Sequence, residues 1–335
     1  MGAQFAPYPP PFSLVICARN EAENLCKNLP AILAQIFENQ WELIVVDDAS
    51  QDKTPDILQG YKEKNPARLQ VLRIDKKTSP GKKEALSLGI AVAKYDHLLL
   101  TDADCKPVGP HWLAHMAAML TAKPETEIVL GYGPSMSSLW SRYETAFVAA
   151  QYFSFALAGM PYMGVGRNLA FKRTAFNRVG GFANHIHIPS GDDDLFINAA
   201  ANSKNTVICI DPEAFVYSES PPALSDWLKQ KQRHLAASPA YHWQHKIALA
   251  VLAVSHTGFY FLFVLLVFIG FNPMIVIGVF FIRLVSILLV FGRILRRLRE
   301  PGLFWRIPLF DVLLAGYYGV IVPWILIPKQ VVNWK

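Results

Sequence analysis

The chain has 335 residues, enough for one large domain or two, and its hydrophobicity is unevenly distributed. Hydrophobic residues make up 52% of the chain, and from Ile247 onward Leu, Ile, Val and Phe predominate. The net charge of +6 owes much to this last part, where Glu300 and Asp311 are the only acidic residues. We therefore interpret the basic charge as a sign of membrane topology and expect no nucleic-acid partner.

The four cysteines show neither a CxxC pair nor a zinc-ligand spacing, so nothing demands an oxidising compartment. Cys17 and Cys209 lie in strand-like runs and are expected to pack as small apolar residues. Residues 1–11 are Pro-rich and lack the basic start and apolar core of a signal peptide. We expect an N-terminal extension at 1–11, a cytosolic catalytic domain at 12–240 and a membrane domain at 241–335.

Strands and helices alternate through the first part of the catalytic domain. Short apolar runs predict buried strands at Phe12–Cys17, Glu42–Val46, Leu69–Arg73 and His97–Leu100, and helical patterns separate them at Glu23–Phe37, after Thr54 and at Lys82–Ala93. This alternation predicts a mostly parallel α/β sheet flanked by helices. Ligands in such sheets bind beyond the carboxyl ends of the strands.

The later elements are less regular. The pattern predicts strands at Ile128–Gly131 and Ile208–Ile210, a loop into a strand over Gly164–Phe171, and helices at Asp192–Ala201 and Ser225–Ala237. A further segment, Thr145–Met163, is almost apolar enough to cross a membrane. Because a crossing there would separate Asp102 from Asp193, we expect a buried or interfacial helix instead.

Three apolar stretches are long enough to span a bilayer: Ile247–Phe271, Met274–Ile294 and Ile307–Ile327. Five arginines, from Arg293 to Arg306, lie at the end of the second stretch and before the third, and the positive-inside rule places that loop in the cytoplasm. We therefore predict a multi-pass protein of the inner or plasma membrane, with a cytosolic catalytic domain and its C-terminus outside. Arg283 lies within a span and calls for a polar partner such as Asp311, unless the span boundaries are displaced, whereas His256 is expected to be a helix-packing residue.

Asp102 and Asp104 follow the apolar run Leu98–Leu100 with one residue between them. Alternate side chains of a strand share a face, so these two carboxylates can converge on one point. Hard carboxylate oxygens suit Mg²⁺ or Mn²⁺, which also take oxygens from a substrate phosphate. By itself the pair is also compatible with two solvated loop acids. Asp47 and Asp48 end a neighbouring predicted strand and can line the same crevice.

Six motifs occur in order along the chain: Cys17–Glu21, Asp47–Ser50, Gly81-Lys82, Thr101–Asp104, Gly191–Asp194 and Gln230-x-x-Arg233-His234. Over roughly residues 12–240 this set resembles the family 2 inverting glycosyltransferases, especially the membrane-embedded branch of cellulose, hyaluronan and poly-N-acetylglucosamine synthases. The resemblance implies a GT-A fold followed by C-terminal transmembrane helices. It also implies a nucleotide-sugar donor, with a UDP-sugar favoured, and Mg²⁺ or Mn²⁺ as cofactor.

The resemblance assigns a role to each matching position. Nucleotide-sugar binding is expected from Ala18, Arg19, Glu21, Asp47, Asp48, Lys82, Asp102, Gln230, Arg233 and His234. Asp104, with Asp102, would hold the metal, and Gly166, Arg167, Asn168 and Asp192 would contact the donor sugar or the acceptor. A carboxylate can deprotonate the attacking hydroxyl, and we expect Asp193 to be this general base, in preference to Asp192 or Asp194, because it aligns with the second acid of the family.

Two positions depart from the family pattern. His234 occupies a position where the family commonly has Trp, so its role in stacking on the acceptor stays open. Lys83 replaces a residue that is usually small in the family, and we expect it to be solvent-exposed.

Several functions stay open at this point. The favoured hypothesis is transfer of one sugar to a lipid-linked or membrane-proximal acceptor, with membrane lipid around the protein. The alternative is a processive polysaccharide synthase, for which three spans are few unless chains assemble into a homo-oligomer. A nucleotidyltransferase that releases pyrophosphate, and a non-catalytic subunit that binds nucleotide or glycan, are further alternatives.

Overall fold

The computed structural model describes residues 9–219 and 224–323. Its strands are β1 (Phe12–Ala18), β2 (Trp41–Asp48), β3 (Leu69–Ile74), β4 (His97–Asp102), β5 (Cys105–Pro107), β6 (Ile128–Leu130), β7 (Leu169–Lys172), β8 (Thr206–Ile208) and β9 (Val216–Ser218). Its α-helices are α1 (Ala22–Leu33), α2 (Thr54–Lys64), α3 (Lys83–Val92), α4 (Trp112–Thr121), α5 (Leu139–Leu157), α6 (Arg173–Arg178), α7 (Asp194–Ala200), α8 (Leu224–Leu235), α9 (Trp243–Phe268), α10 (Pro273–Arg297) and α11 (Ile307–Gly316). Most predicted elements are present, although β8 ends at Ile208, where the sequence pattern placed the start of a strand.

Within the described residues, seven strands form one sheet in the order β3-β2-β1-β4-β7-β6-β8. The first four strands in this order run parallel. Strand β7 is antiparallel to both β4 and β6, and β5 pairs with β9 in a separate antiparallel ribbon. The mostly parallel α/β sheet predicted from the sequence is therefore confirmed, and the carboxyl ends of β1, β2 and β4 lie at one edge.

Helices cover both faces of the sheet, so β1 and β2 are buried along their whole length. Alternate residues of β1 pack into hydrophobic cores on opposite faces of the sheet: Leu14 and Ile16 belong to one core, and Val15 and Cys17 belong to the other. Cys17 and Cys209 are both buried, as the sequence predicts.

Three helical runs among the described residues are long and apolar enough to cross a membrane: Trp243–Phe268, Pro273–Arg297 and Pro301–Ile321. The end of the third predicted span lies outside the described residues. Arg283 donates to the Asp311 carboxylate and, over 2.9 Å, to the Tyr260 hydroxyl. His256 Nε2 lies 2.9 Å from the Asp311 carbonyl oxygen. These contacts confirm Asp311 as the partner of Arg283 and His256 as a helix-packing residue.

Helix α5 joins the sheet domain to these apolar helices, and the Thr145–Met163 segment is partly buried, with Leu157 and Met160 exposed. Tyr143 packs against Phe291 and Phe310. One residue further on, the carboxylate of Glu144 accepts a hydrogen bond from Lys231 of α8 over 2.6 Å. Helix α5 thus contacts both the apolar helices and the helix that carries the Gln230-x-x-Arg233 motif.

Candidate active site

The loops after β1 and β2 are fastened to each other. Asn20 donates its backbone N–H to Ser50 Oγ over 2.9 Å, and its side-chain oxygen accepts from Gln51 N over 2.8 Å. Glu21 N donates to Thr54 Oγ1 over 2.9 Å, at the start of α2. These contacts hold Arg19 and Glu21 beyond the carboxyl end of β1, where the sequence predicts a nucleotide pocket. Ala18 is fully buried at the end of β1.

The acids that end β2 are buried. Ser50 N donates to Asp47 Oδ1 over 3.0 Å, and Asp48, fully buried, forms an ion pair with Lys77. Asp48 Oδ1 has no hydrogen-bond partner among the described residues. A buried carboxylate oxygen without a donor is suited to receive one from a ligand, such as the N–H of a nucleotide base. Lys77 was not predicted; its position just past β3 is the sequence signal that could have indicated it.

The two acids of the Asp-x-Asp pair lie close enough together to share a cation. Ligand atoms of Asp102, Asp104 and Cys105 lie within 4.8 Å of one another. Burial, followed by the charge of Asp102, raises the pKa of Asp104, and a bound cation would relieve this crowding of carboxylates. Burial also raises the pKa of the Cys105 thiol well above its usual range, and this thiol donates to Asp104 Oδ1 over 3.3 Å. The carboxylates fit Mg²⁺ or Mn²⁺, with the thiol as a neutral neighbour.

Lys82 connects this pair to the second acidic motif. Its Nζ lies 2.7 Å from Asp102 Oδ1 and 3.1 Å from Asp192 Oδ2. Burial alone would lower the pKa of Lys82, but Asp102 and Asp192 raise it well above the usual value, so the ammonium stays charged. Two acidic motifs that are 90 residues apart in the sequence therefore meet at one lysine side chain, at the edge of the sheet where the sequence predicts a ligand crevice.

Asp193 caps the N-terminus of α7. Its Oδ2 accepts from Gly166 N over 2.6 Å and its Oδ1 from Asp194 N over 2.9 Å. Burial, followed by the charge of Asp192, raises the pKa of Asp193 to about 6, against the opposing effect of Lys82. Asp194 is buried and accepts from the Tyr241 hydroxyl over 2.8 Å. Asp192 is thus paired with Lys82 and Asp194 with Tyr241, whereas Asp193 accepts hydrogen bonds from two backbone N–H groups.

The Gly166–Asn168 loop lies against the same acids. A Cβ atom at Gly166 would stand 3.3 Å from Asp192 Oδ2 and 3.4 Å from Lys82 Nζ, so the backbone passes close to both. Thr101 Oγ1 donates to the Arg167 carbonyl over 2.9 Å, and Arg167 lowers the pKa of Asp104, although burial and Asp102 outweigh it.

The side chain of Asn168, in the same loop, is fully buried and hydrogen-bonded within the protein. It accepts from Trp112 Nε1 over 2.9 Å and donates to two carbonyl oxygens, of Tyr132 and Ala214, over 2.8 Å each. Its side-chain amide holds the loop in place and has no exposed atom with which to contact a sugar. This corrects the sugar-contact role expected for Asn168, because the protein itself already occupies its polar atoms.

The end of α8 packs on the turn that precedes Asp192. Gly191 has φ +76°, and a Cβ there would lie 2.8 Å from Ala237 Cβ, so glycine is required for this contact. Burial lowers the pKa of the Arg233 guanidinium, and the charge of Asp192 acts in the opposite direction. Arg233 therefore lies near Asp192, while Gln230 is half-buried and His234 is exposed.

The structure contradicts one expectation next to this site. Lys83 is fully buried, not solvent-exposed, and its Nζ donates to the carbonyl oxygens of His185 and Ile188. The first turn of α3 faces the 185–190 segment, a long-range contact that the local sequence pattern does not reveal.

Comparisons with known proteins agree with this geometry. Residues 13–180 match the model described as glycosyl transferase family 2, and residues 97–295 match glycosyl transferase family group 2. Over 92 residues, the chain is 32% identical to the poly-beta-1,6-N-acetyl-D-glucosamine synthase of Staphylococcus aureus strain COL and 28% identical to that of Staphylococcus epidermidis. Each match covers 28% of this chain and 21% of the relative, so the chain spans about a fifth of the length of these relatives.

A solved structure is similar over nearly the whole chain. The mannosyltransferase PcManGT from Pyrobaculum calidifontis, in complex with GDP-Man and Mn²⁺, has a TM-score of 0.59 at 19% sequence identity. The match covers 95% of this chain and 90% of that chain. It shows that the α/β domain has the GT-A fold, as predicted.

Proposed function

We propose that this chain, which belongs to glycosyl transferase family 2, transfers a sugar from a nucleotide-sugar donor to an acceptor hydroxyl, with inversion at the anomeric carbon. One observation carries the proposal: Lys82 Nζ lies 2.7 Å from Asp102 and 3.1 Å from Asp192. The carboxylates suited to a cation and the turn that carries Asp193 therefore face one crevice. Substrate, cofactor and base are all expected there.

The donor half of the crevice lies beyond β1, β2 and β4. Asp104, with Asp102, would hold Mg²⁺ or Mn²⁺, which stabilises the negative charge of a departing diphosphate. The unpaired Asp48 Oδ1 supports a base that offers an imide N–H, hence a UDP-sugar. Arg233, with Gln230 beside it on the helix, adds positive charge and hydrogen-bond donors for the diphosphate.

The acceptor half is arranged around Asp193. The acceptor hydroxyl attacks the anomeric carbon, its proton passes to the Asp193 carboxylate, and the bond from that carbon to the diphosphate oxygen breaks. A pKa of about 6 leaves this carboxylate ionised at neutral pH while keeping it a useful base. The hydrogen bonds from Gly166 N and Asp194 N fix its direction.

The apolar helices α9 to α11 support a membrane-bound enzyme that acts on a lipid-linked or membrane-proximal acceptor. In this proposal the catalytic domain is cytosolic, and the arginines at the end of α10 and in the loop that follows it lie on the same side. The runner-up is a processive synthase. It is favoured by the local identity to poly-beta-1,6-N-acetyl-D-glucosamine synthases and by the Gln230-x-x-Arg233 motif.

The experiment is a nucleotide-sugar screen with the purified full chain in detergent or native membranes. UDP- and GDP-linked hexoses and N-acetylhexosamines are supplied with Mn²⁺, Mg²⁺ or a chelator. Metal-dependent release of a nucleoside diphosphate with at least one donor is expected, whereas release of pyrophosphate would indicate a nucleotidyltransferase. Sizing of the product then separates the two versions, because long polymer would contradict addition of a single sugar.

A further inference from the structure

Lys83 is a fully buried lysine beside the crevice, on the first turn of α3. Its Nζ donates to the His185 carbonyl over 2.7 Å and to the Ile188 carbonyl over 3.0 Å. These two carbonyls begin and end a tight turn, which is closed by a hydrogen bond from Ile188 N to His185 O over 3.1 Å. One ammonium group therefore fastens both ends of the same turn.

The same segment meets the chain just before α3 at a second point. Gly81 has φ +76°, and a Cβ there would lie 2.1 Å from the Pro189 carbonyl oxygen, so the two backbones are in direct contact. Immediately afterwards, Gly191 turns the chain with φ +76° into Asp192 and Asp193. Residues 81–83 thus hold residues 185–189, and this segment leads directly into the acidic motif.

A buried ammonium group is costly to maintain. Burial lowers the pKa of Lys83 to about 8, although Asp192 and Asp193 act in the opposite direction. At pH 7 the group is therefore mostly charged and offers three N–H donors, two of which are used on the turn. An apolar side chain could fill the same space without this cost but could not hold the two carbonyls.

We propose that Lys83 is a positioning residue for Asp193: through its hydrogen bonds to His185 and Ile188 it fixes the turn that sets where the Asp193 carboxylate stands. The role rests on the proposed function of Asp193 as general base. In this positioning role, Lys83 contacts neither the donor nor the acceptor and acts through the backbone of residues 185–191. Lys82, the adjacent residue, faces the crevice instead.

The test compares Lys83→Met with a matched control, Lys64→Met, in the full-length protein. Methionine keeps an unbranched side chain but offers no donor, and Lys64 is an exposed lysine at the end of α2, away from the crevice. We expect Lys83→Met to lower kcat about 10- to 100-fold, because small displacements of a catalytic group have effects of this size. The KM for the donor and the affinity for nucleoside diphosphate with Mn²⁺ should stay within about twofold of the control.

Rescue variants separate positioning from general structural support. Lys83→Arg and Lys83→Gln both restore N–H donors, and at least one should recover kcat relative to Lys83→Met. The proposal is overturned if Lys83→Met has the same kcat as the control. It is also overturned if kcat, diphosphate affinity and melting temperature all fall together in Lys83→Met, or if neither rescue variant recovers kcat.

Asp193→Asn, measured alongside, distinguishes this inference from the proposed function. A wild-type rate in Asp193→Asn refutes the base assignment itself. Loss of transfer in Asp193→Asn together with full kcat in Lys83→Met refutes only the positioning role.

Discussion

Protonation of Asp193 should set the acid limb of the pH–rate profile. Burial and Asp192 raise its pKa to about 6, and a protonated carboxyl cannot accept the proton of the acceptor hydroxyl. At pH 5 about one-tenth of such a group is ionised, against about nine-tenths at pH 7. Lowering the pH from 7 to 5 should therefore reduce kcat about tenfold, whereas an aspartate with the ordinary pKa of about 3.9 would leave kcat nearly unchanged.

The same shift has a consequence for stability. Because the pKa of Asp193 is higher in the folded chain than in the unfolded chain, its contribution to folding is fully present below pH 4 and is lost as the pH rises through about 6. Two pKa units correspond to about 3 kcal/mol. When the pH is lowered from 7 to 5, the melting temperature should therefore rise more in the wild type than in Asp193→Asn.

The rate assay must distinguish protonation of Asp193 from a loss of cation binding at low pH. Burial and Asp102 also raise the pKa of Asp104, so cation affinity should weaken in acid as well. The profile is therefore measured as kcat at saturating donor, acceptor and Mn²⁺, with nucleoside diphosphate affinity recorded at each pH. A kcat that stays constant from pH 7 to pH 5 under these conditions would refute the assignment of Asp193 as base.

Two further substitutions test the cation site and the helix packing. Asp104→Asn should raise the Mn²⁺ concentration for half-maximal rate at least about tenfold, since one anionic ligand is lost; an unchanged Mn²⁺ titration would contradict that role. Arg283→Met leaves the buried Asp311 carboxylate without its cationic partner, although the Tyr260 hydroxyl still donates to it, and should lower the free energy of unfolding by about 3–5 kcal/mol, measured by thermal unfolding in detergent. Adding Asp311→Asn should recover part of that loss, and no recovery would argue against the ion pair as its cause.

The strand ends and their acids were predictable because their signals are local. Leu98–Leu100 is an apolar run of strand length, and the residues that follow must emerge at the carboxyl edge of a parallel sheet. Asp102 and Asp104 were placed correctly for this reason. The order of the motifs then located the second acidic group, and the contacts of Lys82 show that the two groups meet.

The contacts that the sequence did not reveal connect residues far apart in the chain. Lys83 meets a turn about 100 residues later, and Asp48 meets Lys77, 29 residues later. The family resemblance assigns Asn168 to the sugar or the acceptor, and its hydrogen-bond partner Trp112 lies on α4, a helix that the sequence analysis does not predict. The three-residue strands β5 and β9 are too short to show a periodicity, so their pairing was missed as well.

The most direct test of the account measures sugar transfer and nucleotide binding together in Asp193→Asn. If Asp193 is the base of a metal-dependent sugar transfer, the transfer rate falls about 10²- to 10⁴-fold. Nucleoside diphosphate binding with Mn²⁺ then persists at near wild-type affinity, because the nucleotide lies beyond β1, β2 and β4. Unchanged turnover in Asp193→Asn would contradict the account.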